Sequence, residues 1–354
     1  MSPPEPTLAA LRDRVLAAAA GRTALRLRGA GTKDFYGEAL AGEVLEVGAH
    51  SGIVAYDPPE LVITARGGTR LSELDAALAA AGQFLPFEPP AFGGDPTLGG
   101  IIATGLSGPR RMYAGAARDF VLGARLLTAG GEVLRFGGEV MKNVAGFDVA
   151  RLLCGSLGIL GIITEVSLKV LPLPRQEETV RLELGYGEAC ARFAGWAARP
   201  MPVSAAAWHE GSAWVRLSGA APAVQAARAQ IGGERIAVAE ALRWWARVRD
   251  QKLALFEAPE IWRLSLPGAV GTLPQLPAPQ LIDWGGALRW YAAEGPEFAP
   301  VAAAVGGNAL HWRSRRGRPR FAPLSSTVLA LHRRLKERFD PAGIFNPGRL
   351  VAEL

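Results

Sequence analysis

Residues 93–105 read Gly93-Gly94-Asp95-Pro96-Thr97-Leu98-Gly99-Gly100-Ile101-Ile102-Ala103-Thr104-Gly105. Small residues and hydroxyl side chains crowd around an Ile-Ile pair. A surface loop has little use for Ile101 and Ile102 in such a run. Close backbone approach to a large flat ligand accounts for both features, because glycine has no side chain to hold the ligand away. Taken alone, an ordinary Gly-rich connection accounts for them equally well.

Upstream, residues 23–28 alternate as a strand does and run into Gly29-Ala30-Gly31-Thr32-Lys33-Asp34. A diphosphate needs several backbone N–H groups brought close, and glycines permit that. The third glycine of a dinucleotide fingerprint is missing at the right spacing, no helical run follows, and no acid appears about 20 residues on at the end of a second strand in a βαβ unit. A Rossmann fold is therefore excluded, and a plain turn remains the bland alternative. Downstream, Cys154-Gly155-Ser156-Leu157-Gly158-Ile159-Leu160-Gly161-Ile162-Ile163-Thr164-Glu165 lacks the G-x-S-x-G spacing of a nucleophile elbow. It reads as the tight entry to a core strand.

Between these segments, 44–47 and 61–65 read as strands. Residues 71–81 read as a helix starting after Thr69 and stopping at Gly82. Residues 86–108 are Gly/Pro-rich. The runs 120–128 and 132–136, joined across Ala129-Gly130-Gly131, predict a hairpin. A helix over 148–153 and a β-branched strand over 161–171 follow. Pro172 and Pro174 mark a boundary. Beyond it the chain is richer in Trp and Arg, with a strand at 213–217 and a helix at 221–230. Residues 325–339 form an amphipathic helix capped by Ser325 or Ser326. The division expected is 1–174, 175–324 and 325–354.

Composition narrows the function classes. The chain has 354 residues, 49% hydrophobic and 20% charged, enough for a sizeable core. Its cysteines, Cys154 and Cys190, cannot make a disulfide framework or a four-cysteine iron–sulfur or zinc site, and they fit a reducing cytoplasm. The N-terminus reads as an amphipathic helix, not a signal peptide, and no apolar run reaches the roughly 18 residues of a membrane span. The net charge of +6 suits an acidic partner or substrate, and no nucleic-acid motif accompanies it.

Taken in order, the three Gly segments resemble the vanillyl-alcohol-oxidase (PCMH-type) FAD-binding family. The tail Asp340-Pro341-Ala342-Gly343-Ile344-Phe345-Asn346-Pro347-Gly348 is similar to that family's closing signature. Three further phrases resemble the FAD-binding subunits of bacterial glycolate oxidases: Gly105-Leu106-Ser107-Gly108-Pro109-Arg110-Arg111, Arg118-Asp119-Phe120-Val121-Leu122-Gly123, and residues 137–148. The likeness covers 22–174 and 325–350 and is weak between them.

The resemblance implies an α+β fold: a PCMH-type FAD-binding domain of two α/β subdomains, a smaller α+β cap, and a C-terminal helix returning to the first domain. It implies FAD held by Gly29, Ala30, Gly31, Thr32, Lys33 and Asp34; by Pro90, Thr97, Gly99, Gly100, Ile101, Ala103, Thr104, Gly105 and Gly108; and by Gly155, Ser156, Gly158, Gly161, Ile162, Ile163 and Asn346. Covalent members carry a histidine in the first loop. Lys33 stands there here, so the FAD is expected to be non-covalent. His50 reads as a surface turn.

Related hydroxy-acid dehydrogenases carry a His-x-Gly-Asp-Gly-Asn-x-His metal motif. Here the nearest stretch, 305–311, has Asn308 and His311 but lacks the first His and the Asp, so no metal is expected. His311 is the candidate general base, against the plainer reading of a strand-end histidine packed on Trp312. Arg313, Arg315, Arg316, Arg318 and Arg320 read as a solvated or partner-docking surface, or as a carboxylate clamp. Trp208, Trp244 and Trp245 read as core, and Lys142 and Asn143 as an exposed turn or a flavin contact.

The activity implied is oxidation of glycolate or a similar 2-hydroxy acid, with a second FAD-binding catalytic subunit and an iron–sulfur subunit as partners. Membrane contact would come only through those partners, at the inner face. The rivals are an FAD-bearing relay or assembly subunit and a free-standing dehydrogenase for another hydroxy acid.

Overall fold

The computed structural model describes residues 5–138, 148–294, 298–314 and 320–354. Lys142, Asn143, Arg315, Arg316 and Arg318 lie outside them. The helix Pro6–Gly21 buries Leu11, Val15 and Ala18 along one stripe, and Arg22 closes it in the left-handed region. Those residues pack on Leu25, Leu45, Ile162 and Phe345. The strands Leu25–Arg28 and Glu43–Glu46 pair in parallel, and Phe345 bridges to Leu25, so the tail of the chain completes this small layer.

Beside it stands a five-stranded antiparallel sheet, ordered Ile53–Asp57, Val62–Arg66, Ile162–Lys169, Val121–Leu127, Val133–Gly137. Its core takes Leu71, Leu74 and Leu78 from the helix Leu71–Ala80, and Leu98, Ile101 and Ile102 from the helix Leu98–Thr104. This second helix interrupts the Gly/Pro-rich stretch. Thr97 caps it, accepting from Gly100 N at 3.4 Å, and Gly105 ends it at a positive φ. The edge strand Ile53–Asp57 carries no alternating signal, because the adjacent apolar residues Val54 and Ala55 are both exposed.

From Gln176 the chain builds an eight-stranded antiparallel sheet running to Asn308–Arg313. The helices Tyr186–Ala197 and Ala221–Ile231 bury Phe193, Trp196, Val224 and Ile231 against one face. On the other face, Trp244 and Trp245 of the helix Val238–Arg249 pack with Trp214 and with Leu106 of the first half. Trp208, Trp244 and Trp245 are core residues. The helix Ser326–Phe339 is capped by Ser325 and returns to the first core through Phe339.

The two halves are joined by buried charge. Glu88 lies between Arg216 and Arg110, with Oε1 2.9 Å from Arg216 Nη1 and 3.2 Å from Arg110 Nε. Ala91 N donates to Asp250 Oδ1 at 2.8 Å, and Trp284 Nε1 donates to Gly108 O at 3.0 Å.

Candidate functional site

A cleft lies where the first Gly loop, the start of the helix Leu98–Thr104 and the third Gly segment meet. Its open space, with the solvent at its mouth, is ≈ 810 Å³. Close packing on neighbouring side chains leaves no room for a Cβ at two of the glycines. A Cβ on Gly29 would stand 2.2 Å from Thr97 Oγ1. Gly158 sits at φ +73°, and a Cβ there would meet Asn346 Nδ2 at 2.8 Å. Gly99 N donates to Gly67 O at 2.7 Å, which draws the helix against the sheet.

Two residues from the end of the chain hold the cleft in shape. Asn346, at φ 41°, accepts from Leu27 N at 2.8 Å and donates to Leu157 O at 2.7 Å, tying the strand before the first loop to the third segment. Arg349 is buried and donates to the carbonyl oxygens of Lys33, Asp34, Tyr36 and Glu38. The loop is thereby fixed from outside. Among the described residues, the N–H groups of Ala30, Gly31 and Thr32 have no hydrogen-bond partner. They are open to an anion.

Lys33 also lines this cleft and lies 5.7 Å from the Phe92 ring. Burial lowers its pKa to about 8, against an opposing pull from Asp250. An anion placed in the cleft would hold it charged.

Of the residues implied by resemblance, the cleft lining brings together Gly29, Ala30, Gly31, Thr32, Lys33, Asp34, Thr97, Gly99, Gly100, Ala103, Thr104, Gly158, Gly161, Ile162, Ile163 and Asn346. Six do not line it. Ile101 faces the core. Gly105, Gly155 and Ser156 serve the turn behind it, where Gly155 N donates to Ile102 O and Ser156 N to Leu153 O. Pro90 and Gly108 line a second, smaller cavity between the two sheets. Arg28, Tyr36, Leu40 and Arg349 line the cleft without having been anticipated. Their only local signal is nearness to the Gly loop or to the closing signature.

His311 lines neither cavity. It is buried in the strand Asn308–Arg313, with Nε2 2.6 Å from Glu260 Oε2, and its ring is stacked on Trp262 at 4.3 Å. A histidine so enclosed does not reach a ligand in either space. His50 is no surface turn. It is buried under the N-terminal helix, with Nδ1 2.9 Å from Thr7 Oγ1. Arg313 and Arg320 spend N–H groups on the carbonyls of Phe256 and Trp312 and line neither cavity. Among the described residues, no group of three or more His, Cys, Asp or Glu is arranged to hold a metal ion.

The smaller cavity is lined by Arg249, Arg263, Asp283, Trp284, Trp290 and Trp312 among others. Arg263 is half-buried, and that burial lowers its pKa to about 10. Burial also raises Asp283 to about 7, although its carboxylate accepts from Trp284 N at 2.7 Å.

The fold and the cleft define a flavoprotein. The FAD binding domain family matches residues 7–137. A solved structure of alkyldihydroxyacetonephosphate synthase aligns with a TM-score of 0.66 over 95% of this chain and 74% of its own, at 15% identity, a likeness of fold. The cofactor is FAD, and the residues fit it: a backbone cradle that a Cβ would fill, free N–H groups and a lysine. Glycolate oxidase subunit GlcE of Escherichia coli (strain K12) is 47% identical over 348 residues, 98% of this chain and 97% of that protein, and the chain belongs to its family. Glycolate oxidase subunit GlcD of Bacillus subtilis (strain 168) is 34% identical over 128 residues, 36% of this chain and 27% of that protein. No helix among the described residues is long and apolar enough to cross a membrane.

Proposed function

We propose that this chain is the non-covalent FAD-binding subunit of a glycolate oxidase complex, oxidising glycolate or a similar 2-hydroxy acid to the 2-oxo acid. The observation that carries the reading is the cleft, where three Gly segments, free N–H groups and Lys33 converge. When bound, FAD would supply a two-electron acceptor for the hydride leaving the substrate's Cα, the hydroxyl proton passing to a base. The chain's own residues do the rest. Ala30, Gly31, Thr32 and Lys33 receive the diphosphate. Thr97, Gly99 and Gly100 let it lie close to the backbone, and Asn346 and Arg349 hold these segments in place. The first loop carries Lys33 and no histidine, which favours a dissociable cofactor.

Electrons then pass to an iron–sulfur subunit. Cys154 and Cys190 are too few to ligate a cluster, so that centre belongs to a partner, beside a second subunit resembling GlcD. Any membrane contact is made through the partners. A 1–174 FAD domain, a 175–324 cap and a returning 325–354 segment describe the division of labour.

The enclosure of His311 favours a second reading, an FAD-bearing relay subunit that turns over nothing itself. Anaerobic glycolate added to the purified FAD-loaded chain separates the two. Bleaching of the flavin supports catalysis here. A flavin that stays oxidised alone, but is reduced within the assembled complex, supports the relay.

A further inference from the structure

Arg263 is a charge that the FAD cleft leaves unexplained. It sits on the strand Ile261–Ser265, on the face of the eight-stranded sheet turned toward the FAD domain. Its guanidinium carbon lies 5.0 Å from the ring centroid of Trp284, 5.7 Å from Trp290 and 6.0 Å from Trp312. The indoles stabilise a cation but offer no hydrogen-bond acceptor. Among the described residues, its one hydrogen bond is from Nη1 to Ser265 Oγ at 3.2 Å, and no carboxylate lies within ion-pair distance. By contrast, Arg249 in the same lining is paired to Asp250 at 2.8 Å. The other N–H groups of Arg263 have no protein partner among the described residues, and its half-buried guanidinium opens onto the smaller cavity.

That cavity lies between the two halves. Its open space, with the solvent at its mouth, is ≈ 360 Å³ against ≈ 810 Å³ for the FAD cleft, so only a small ligand fits it. We propose that Arg263 binds the carboxylate of a two- or three-carbon 2-hydroxy acid in this cavity, with the indoles of Trp284, Trp290 and Trp312 as its walls. This rests on the reading of the chain as a hydroxy-acid oxidase subunit. The planar fork of Arg matches a carboxylate with two parallel hydrogen bonds, which a lysine cannot reproduce. Asp283 lies in the same lining, and burial, which lifts it to about 7, weakens its competition with the ligand for Arg263. The indole walls set the size limit.

The test is a titration of the purified FAD-loaded chain with oxalate, a two-carbon carboxylate with no Cα hydrogen, followed by tryptophan fluorescence. Wild type should give a saturable change, and neutral glycolamide none. Arg263→Lys should bind oxalate at least about tenfold more weakly, and Arg263→Met not at all, with flavin content unchanged. Arg263→Lys and the wild-type comparison carry the test if Arg263→Met does not fold. Equal oxalate binding by Arg263→Met or Arg263→Lys overturns the proposal, as does the absence of a saturable change in wild type. Loss of flavin from the variants with oxalate binding intact also overturns it, because Arg263 would then serve the cofactor. A chain that takes up no flavin at all defeats the functional reading, and oxalate titration of that flavin-free chain still decides the role of Arg263.

Discussion

Arg349 donates from Nη2 to the carbonyl oxygen of Asp34 at 2.8 Å, joining the last residues of the chain to the first Gly loop. The same guanidinium reaches the carbonyls of Tyr36 and Glu38, while Glu38 N donates back to Arg349 O at 2.9 Å. Arg349→Met removes these donors but keeps the aliphatic bulk. Each buried carbonyl left unsatisfied costs about 1–3 kcal/mol. The variant should melt several degrees lower and bind FAD at least about tenfold more weakly, since 1.4 kcal/mol is tenfold. Thermal melts with and without FAD measure both effects.

Gly29 and Thr97 are packed so closely that a methyl group has no room. The Cβ of Gly29→Ala would meet Thr97 Oγ1 at 2.2 Å, and Thr97 is itself buried as the cap of the helix Leu98–Thr104. Displacing that cap should cost about 1 kcal/mol and weaken FAD binding. Adding Thr97→Ala to Gly29→Ala relieves the contact with the hydroxyl and should recover part of the affinity. A double variant weaker than either single one would contradict this steric account.

Lys33 makes FAD affinity depend on pH. Its pKa in the free protein is lowered to about 8 by burial. A bound diphosphate favours the charged form, so affinity is full below about 8 and falls as pH rises through it. One unit above that value, binding should be about tenfold weaker than on the plateau. The effect on stability runs the other way. The unfolded chain holds this proton up to about 10.5, so the cost of burying the charge is complete below about 8 and is relieved as pH rises toward 10.5. Lys33→Met should bind FAD more weakly at neutral pH, with a flat profile. Fluorescence titrations across pH 7 to 10 check it.

Glu88 locks the two halves together. Burial alone would raise its carboxyl, but Arg216 and Arg110 hold it below the ordinary range. Its stabilisation is therefore present above the ordinary carboxylate range and lost as pH falls through its lowered value. Glu88→Gln leaves two buried guanidinium groups without their shared anion and should cost about 3–5 kcal/mol at neutral pH. The loss should shrink at acid pH, where wild type forfeits the same pair. Denaturant unfolding at two pH values measures the difference.

Legibility in the sequence followed the range of the cause. Thr97 and the glycines of the three segments declare themselves locally, because backbone approach demands residues without side chains. The helix Leu98–Thr104 was hidden by those same glycines, although Thr97 as cap and Gly105 as left-handed terminator both stood in the text. Arg349 and Tyr36 gave no local sign beyond nearness to the closing signature and the Gly loop: their roles depend on partners that only the closed fold brings near. Arg263 was equally silent, since an arginine in an alternating strand reads as an exposed one until the sheet's face is known. His311 drew attention through a broken motif, and its pairing with Glu260 across neighbouring strands was beyond any short-range pattern.

The central claim is that this chain itself holds FAD in the cleft between the Gly segments. Gly100 lines that cleft, and a Cβ there meets only Thr97 Oγ1, at 3.2 Å, so a large side chain at this position enters the ligand space and spares the core. The most direct measurement is the visible flavin spectrum of wild type and Gly100→Trp after gel filtration in the presence of FAD. Wild type should retain a flavin band and Gly100→Trp should lose it, with both proteins showing the same circular dichroism. A flavin band of equal strength in Gly100→Trp would contradict the account.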